Sequence, residues 1–271
     1  MGDLKMKNVV VDEALSGNLG ELITALLAED EANAGKAIPD SAQERWEMFR
    51  ALLISRPPRK AEGDFVDKQD DLLQTVISDT GVTNARKMTP VIELGESHIF
   101  LWQGDIAALR IDCMANPTTA DMLGCFDPTR DCIDNDVHTF GGVQLRSYMS
   151  QIAEMSGDEF MVTFGNNLPS VFVINVPAPK TAGGAATAEE LQELERCYQT
   201  TFELADIHDC RRLALPLLGL EENGYTLDET VKVAVDVVKR NLDGATGRLH
   251  DVFFVAADDA ERIAYEKALG L

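Results

Sequence analysis

Residues 123–146, LGCFDPTRDCIDNDVHTFGGVQLR, concentrate two cysteines, an Asp-Asn pair, a histidine and a Gly-Gly turn in a short space. A segment this rich in ligand-type and turn-type residues, following an apolar strand-like run, is where an α/β protein places its chemistry. Cys125 and Cys132 stand seven apart with Pro128 bending the chain between them, so both thiolates can turn toward one metal ion. Two soft ligands do not complete a zinc site. Cys113, Asp127, Asp131, Asp134 and His138 are further donors in reach of the argument; the alternative is a pair of reduced, partly buried thiols. Asp134 and His138 are four apart, so on a helix they share a face and the carboxylate raises the imidazole's basicity. The competing reading is structural: Asp134 and Asn135 cap the helix and His138 packs beneath it. The chain has no Gly-x-Ser-x-Gly elbow and no cysteine with a recognisable base partner, which argues against a serine or cysteine hydrolase.

Gly124-Cys125-Phe126, Pro128, Cys132-Ile133-Asp134-Asn135, His138 and the run Gly142-Val143-Gln144-Leu145-Arg146 form a pattern that resembles the zinc-dependent macrodomains, the bacterial and fungal type that removes ADP-ribose from proteins. Trp102-Gln103-Gly104-Asp105-Ile106 is similar to that family's first strand and its Gly-Asp-Ile turn. The resemblance runs across nearly the whole chain, a helical N-terminal extension included. It implies a macrodomain fold, ADP-ribose or ADP-ribosylated protein as ligand, and zinc as cofactor. By the same resemblance Asp105, with Ile106 beside it, meets the adenine amino group, although a strand-end Asp also caps the turn after it. Asn116 aligns with the first asparagine of the family's Asn-Ala-Ala-Asn stretch and Thr119 with the second, which in relatives faces the distal ribose; with Asp134 they are the candidate catalytic residues. Gly219, Leu220, Glu221, Gly224 and Tyr225 correspond to the loop that wraps the diphosphate, and Cys125 and Cys132 to metal ligands.

The departures from the pattern carry the functional reading. Arg130 stands where the family has a metal-binding histidine, and a permanent cation repels zinc. Thr119 replaces the second asparagine and loses the amide's two donors, while Pro117 reshapes the backbone before it. Glu221 sits where relatives have a permissive glycine. A carboxylate about 4 Å from a phosphate charge costs up to about 4 kcal/mol at an effective dielectric near 20, roughly a thousandfold in affinity. The expectation is therefore a divergent homologue with weakened or absent ADP-ribosyl-protein hydrolase activity that retains binding of an ADP-ribose-like ligand or a partner. The alternatives are an active zinc-dependent protein-ADP-ribose hydrolase and a non-catalytic interaction pseudoenzyme.

These residues need a scaffold, and the periodicity supplies one. Leu19, Leu22, Ile23 and Leu26, then Trp46, Phe49, Leu52 and Leu53 after a Ser41-x-x-Glu44 signature, then Phe65, Leu72, Leu73, Val76 and Ile77, recur at helical spacing. Arg56-Pro57-Pro58 ends the second of these helices and Gly81 the third. Residues 1–93 therefore read as a helical extension. From there Ile99-Phe100-Leu101-Trp102, Leu109-Arg110-Ile111, Val171-Phe172-Val173-Ile174, Leu213-Ala214-Leu215-Pro216-Leu217 and Val252-Phe253-Phe254-Val255 read as buried strands. Helices over 143–155, 187–205, 227–242 and 258–269 alternate with them, so residues 94–271 are expected to fold as a three-layer α/β/α domain with a mixed, mainly parallel sheet.

The 46 acidic and 24 basic residues give a formal charge of −22, which repels phosphate backbones and argues against nucleic acid. Five sparsely spaced cysteines suit a reducing compartment. The N-terminus lacks an apolar signal region and no long apolar run occurs, so a cytoplasmic protein with no membrane partner is expected.

Overall fold

The computed structural model describes residues 9–13, 17–33, 35–156, 160–220 and 223–271. Three helices come first: α1 (Leu19–Ala28), α2 (Ala42–Ser55) and α3 (Phe65–Thr80). Then follow β1 (Thr83–Asn84), β2 (Ile92–Leu94), β3 (Ser97–Gln103), β4 (Leu109–Arg110), β5 (Cys113–Thr118), α4 (Ile133–Phe140) and α5 (Val143–Ser156). The chain closes with β6 (Met161–Phe164), β7 (Phe172–Pro177), α6 (Ala188–Ile207), β8 (Arg212–Leu215), α7 (Leu227–Leu242), β9 (Asp251–Ala256) and α8 (Asp259–Leu269). Among the described residues no helix is long and apolar enough to cross a membrane.

The main sheet has the order β2-β3-β9-β8-β5-β7-β6, with the five inner strands parallel and both edge strands antiparallel. Successive residues of a strand point to opposite faces. Phe100, Phe253 and Met114 accordingly enter one core with α2, α3, α4 and α5, whereas Ile99, Phe254 and Ile174 enter another with α6, α7 and α8. Phe100 stacks on Phe253 at 4.1 Å between ring centroids, and Phe254 stacks on Tyr265 of α8 at 4.7 Å. The three-layer α/β/α fold with a mixed, mainly parallel sheet expected from the periodicity is the fold observed.

The helices start and stop where local chemistry directs. Ser41 accepts the Glu44 N–H at the start of α2, Thr187 and Glu190 form a reciprocal capping box at α6, and Gly81 terminates α3 at φ +98°. The first three helices share their core with one face of the sheet: Trp46 lies 6.0 Å from Phe140 between ring centroids. Buried Gln69 of α3 accepts the Val143 N–H at 2.9 Å and so caps α5 through a residue of the N-terminal segment. The expected division at 93/94 falls inside β2, whose Ile92 and Glu93 already pair with Ile99 and His98.

One strand reading is corrected. Leu109-Arg110-Ile111 does not enter the main sheet. A 3₁₀ turn at Ile106–Ala108 redirects the chain, Leu109 drops into the core, Arg110 points out, and β4 pairs only with β1. The sheet position is taken by β5 instead, which contains Asn116 and Pro117, residues of low strand preference. Burial between β7 and β8 overrides that preference.

Candidate functional site

Two adjoining cavities of about 300 and about 490 Å³ open at the C-terminal ends of the parallel strands and share Asp131, Cys132, Ile133, Leu217 and Glu261, so they form one cleft. Crevices in open α/β sheets fall at this edge because the loops leaving parallel strands gather there. The first cavity is lined by Ile106 and by five carboxylates, Asp105, Asp131, Asp136, Asp258 and Glu261. The second brings the cations Arg130 and Lys180 beside Thr119, Asp134, Gly219, Leu220 and Asn223. The cleft is therefore graded in charge along its length, with five carboxylates and no cation in the first cavity against two cations and three carboxylates, Asp131, Asp134 and Glu261, in the second. Burial pushes the Asp136 carboxyl up to about 7, with the Asp105 charge adding and the Arg50 ion pair from α2 opposing. That weakens the negative field at neutral pH. Asp105 takes the capping part, since its carboxylate accepts the Ala107 N–H at 2.9 Å at the start of the 3₁₀ turn, and the residue also lines the cleft.

Asp134 organises the loop beneath the second cavity. It accepts the Asn116 side-chain N–H at 2.9 Å and the Cys125 backbone N–H, and His138 Nε2 lies 3.7 Å away. The capping reading of Asp134 and Asn135 is overturned: Cys132 is the N-cap of α4 and makes no side-chain cap bond. Asn135 instead donates to the carbonyls of Asp127 and Arg130 at 2.9 and 2.8 Å, holding the 127–130 loop against the helix. Asn135 can hold the loop because its side chain is buried directly beneath it and its amide carries two N–H donors. Gly124, at φ +83°, makes this possible, since a Cβ there would fall 2.1 Å from His138 Nε2.

His138 packs beneath the helix, fully buried and outside the residues lining the cleft, so the acid/base reading of the Asp134–His138 pair does not reach the site. Burial lowers its pKa to about 4, with Arg146 adding and Asp134 opposing. An unfolded histidine titrates near 6.5. The neutral, buried ring therefore contributes stability that is full above about pH 6.5 and is lost as pH falls toward about 4. Between pH 6.5 and 5 that loss amounts to about 2 kcal/mol. Urea unfolding at the two pH values should show the drop in the native chain and a smaller one in His138→Gln.

Cys125 is buried and Cys132 half-buried, and both line the second cavity. Zinc requires four donors, thiolates and imidazoles among them. Among the described residues no group of three His, Cys, Asp or Glu side chains is placed to hold a metal ion. Burial pushes the Cys132 thiol up to about 12, and Arg130 Nη1 donates to Cys125 Sγ at 3.8 Å. A permanent cation against the sulfur repels a dication and adds no ligand, so this donor set does not fit zinc.

The other candidates separate into lining and supporting residues. Asn116 is fully buried below the cleft, donating to Asp134 and to Asn175 Oδ1 at 3.0 Å. Thr119 lines the cleft and its hydroxyl accepts the Gly124 N–H at 3.0 Å. Tyr225 is buried behind Gly219 and donates its hydroxyl to the Glu190 carbonyl, and Gly224 adopts φ +88° against Thr181. Glu221 lies outside the described residues. Sequence reasoning missed Lys180, Asn223 and Glu261. Glu261 had a signal: with Asp258 it forms an Asp-x-x-Glu helix start directly after a strand.

Comparison with known proteins decides the family. The Macro domain profile matches residues 115–234. A protein-ADP-ribose hydrolase of Staphylococcus aureus (strain Mu50 / ATCC 700699) is 30% identical over 265 residues, spanning 95% of this chain and 98% of its own. The chain belongs to the macrodomain family. A protein-ADP-ribose hydrolase of Treponema medium is likewise 30% identical, over 223 residues covering 80% of this macrodomain and 85% of the relative. Among solved structures, a Trypanosoma brucei macrodomain in complex with ADP-ribose superposes with a TM-score of 0.61 at 21% identity, covering 82% of this macrodomain and 95% of its own chain. An Oceanobacillus iheyensis macrodomain gives 0.59 at 19% identity, covering 68% and 97%. These two matches establish that this macrodomain shares their fold.

Proposed function

We propose that this macrodomain binds ADP-ribose in the cleft without zinc and hydrolyses ADP-ribosylated protein weakly or not at all. The observation that carries the reading is Arg130, whose guanidinium lies on Cys125 Sγ and lines the cavity where a metal would be needed. The charge gradient along the cleft supports the binding half. The adenosine end, carrying no charge, suits the carboxylate-lined cavity around Asp105 and Ile106, and the diphosphate suits the end bearing Arg130, Lys180 and the Gly219-Leu220 turn. The relatives named protein-ADP-ribose hydrolase and the neighbour solved with ADP-ribose support the choice of ligand. The thiols, the buried Asn116–Asp134 pair and Thr119 then act as structure around the ligand.

Calorimetric titration with ADP-ribose is expected to give one site per chain, unchanged by a chelator. Elemental analysis of the purified protein is expected to give far less than one zinc per chain. One zinc per chain, lost in Cys125→Ala or Cys132→Ala, would overturn the metal-free half of the reading. Absence of any ADP-ribose isotherm would overturn the binding half.

A further inference from the structure

At the opposite end of the sheet from the cleft, a cavity of about 460 Å³ is lined by Asn84, Arg86, Arg110, Asp112, Val171 and Arg212 among others. Three guanidinium groups around one cavity are conspicuous in a chain of charge −22. Like charges held together repel one another unless an anion sits between them. We infer that this cavity is a second ligand site, for a small organic molecule bearing a phosphate monoester.

The lining is arranged rather than accidental. Parallel pairing of β1 with β4 sets Asn84 opposite Arg110, and the Asn84 side-chain Oδ1 accepts the Arg86 backbone N–H at 3.0 Å, so the small ribbon brings both arginines to the cavity. Arg212 is anchored below them, 3.6 Å from Asp112 and 3.5 Å from Asp251. Asp112 would oppose an anion, but its Oδ2 already accepts the backbone N–H groups of Arg211 and Arg212 at 3.1 and 3.0 Å. Asp112 and Arg212 are thus held as an offsetting pair, and the net positive charge at the cavity comes from Arg86 and Arg110. Arg86 and Arg110 are exposed, and among the described residues their guanidinium groups form no ion pair.

Planar guanidinium forks match phosphate oxygens two at a time, and the near-double charge of a phosphate monoester answers both exposed guanidinium groups where a carboxylate would answer one. Ile111, Pro169 and half-exposed Val171 supply an apolar wall for the molecule that carries it. The volume lies in the small-molecule range. A polyanion is disfavoured because the remaining surface repels it, so the charge must be confined to one group. β5 runs from this end to the cleft in six residues, about 20 Å, which makes the two sites separate.

The test is calorimetric titration of the full chain with phenyl phosphate at low ionic strength. One site is expected, tighter than for inorganic phosphate because the ring meets the apolar wall, and unchanged when ADP-ribose is present in excess. Arg86→Ala with Arg110→Ala should weaken it tenfold or more, while both as lysine should recover part of the loss. Both arginines are exposed, so the double variant should keep its melting temperature. No isotherm, an isotherm unaffected by the double variant, or displacement by ADP-ribose would overturn the site. A phosphoserine peptide binding more than tenfold tighter than phenyl phosphate would overturn the small-molecule ligand in favour of a modified protein.

Discussion

Arg146→Met should destabilise the fold by about 3–5 kcal/mol, the range for breaking a buried charged network. Arg146 is 4% exposed and its guanidinium donates to five backbone carbonyls. Three of them, Leu53, Ile54 and Arg56, belong to the end of α2, where helix carbonyls lack intrahelical partners. The other two, Leu123 and Cys125, belong to the cleft loop, and the Phe126 ring lies under the same guanidinium at 4.2 Å. Methionine keeps most of the volume and supplies no donor, leaving carbonyls that each cost about 1–3 kcal/mol if unmet in the interior. Urea unfolding measures the loss, and a melting temperature lower by roughly 10 °C should accompany it. Tyr148→Ala on the same helix, at an exposed position, should change stability by less than about 0.5 kcal/mol. A loss under about 1 kcal/mol in Arg146→Met would show that water reaches these carbonyls and that the N-terminal helices are not tied to the cleft loop through this side chain.

Turnover of an ADP-ribosylated protein by the unmodified chain, with zinc added, should fall below the usual enzyme range of about 1–1000 per second. Thr119→Asn, Arg130→His and Glu221→Gly made together should restore ADP-ribose affinity first and turnover second. Each substitution addresses a different requirement: a ribose donor at the cleft floor, a metal ligand beside Cys125, and a diphosphate loop free of a carboxylate. Catalysis needs all groups placed at once, so single substitutions should recover little, and the gain of the triple should exceed the product of the singles. Single-turnover assays on the unmodified chain, the three single variants and the triple variant decide this. A rate within the usual range for the unmodified chain would replace the proposed reading by an active hydrolase.

The segment from Gly124 to His138 announced its importance through residue types alone, because ligand and turn residues are dense there and the chain around them alternates between strand and helix periods. Helix boundaries were equally legible at Ser41, Thr187 and Gly81, since capping and termination are settled by neighbours within four residues. Arg130 stood out for a different reason: the resemblance to zinc-dependent macrodomains implies a histidine ligand at that position, and a permanent cation cannot take its part.

What Asp134, Asn135, Asn116 and Leu109-Arg110 do was decided only in three dimensions. Asp134 and Asn135 looked like caps, yet they bond to Asn116, Cys125, Asp127 and Arg130, partners set by how the loop folds back over α4. Asn116 and Pro117 lie in a central strand that their preferences oppose, because burial between β7 and β8 outweighs intrinsic tendency. Lys180 and Glu261 meet Arg130 and Asp131 in one cleft although they stand far apart in the chain. Local chemistry acts over a turn or two and can be read in order along the sequence, whereas the site's charge gradient depends on sheet order, which brings the ends of distant strands to one edge.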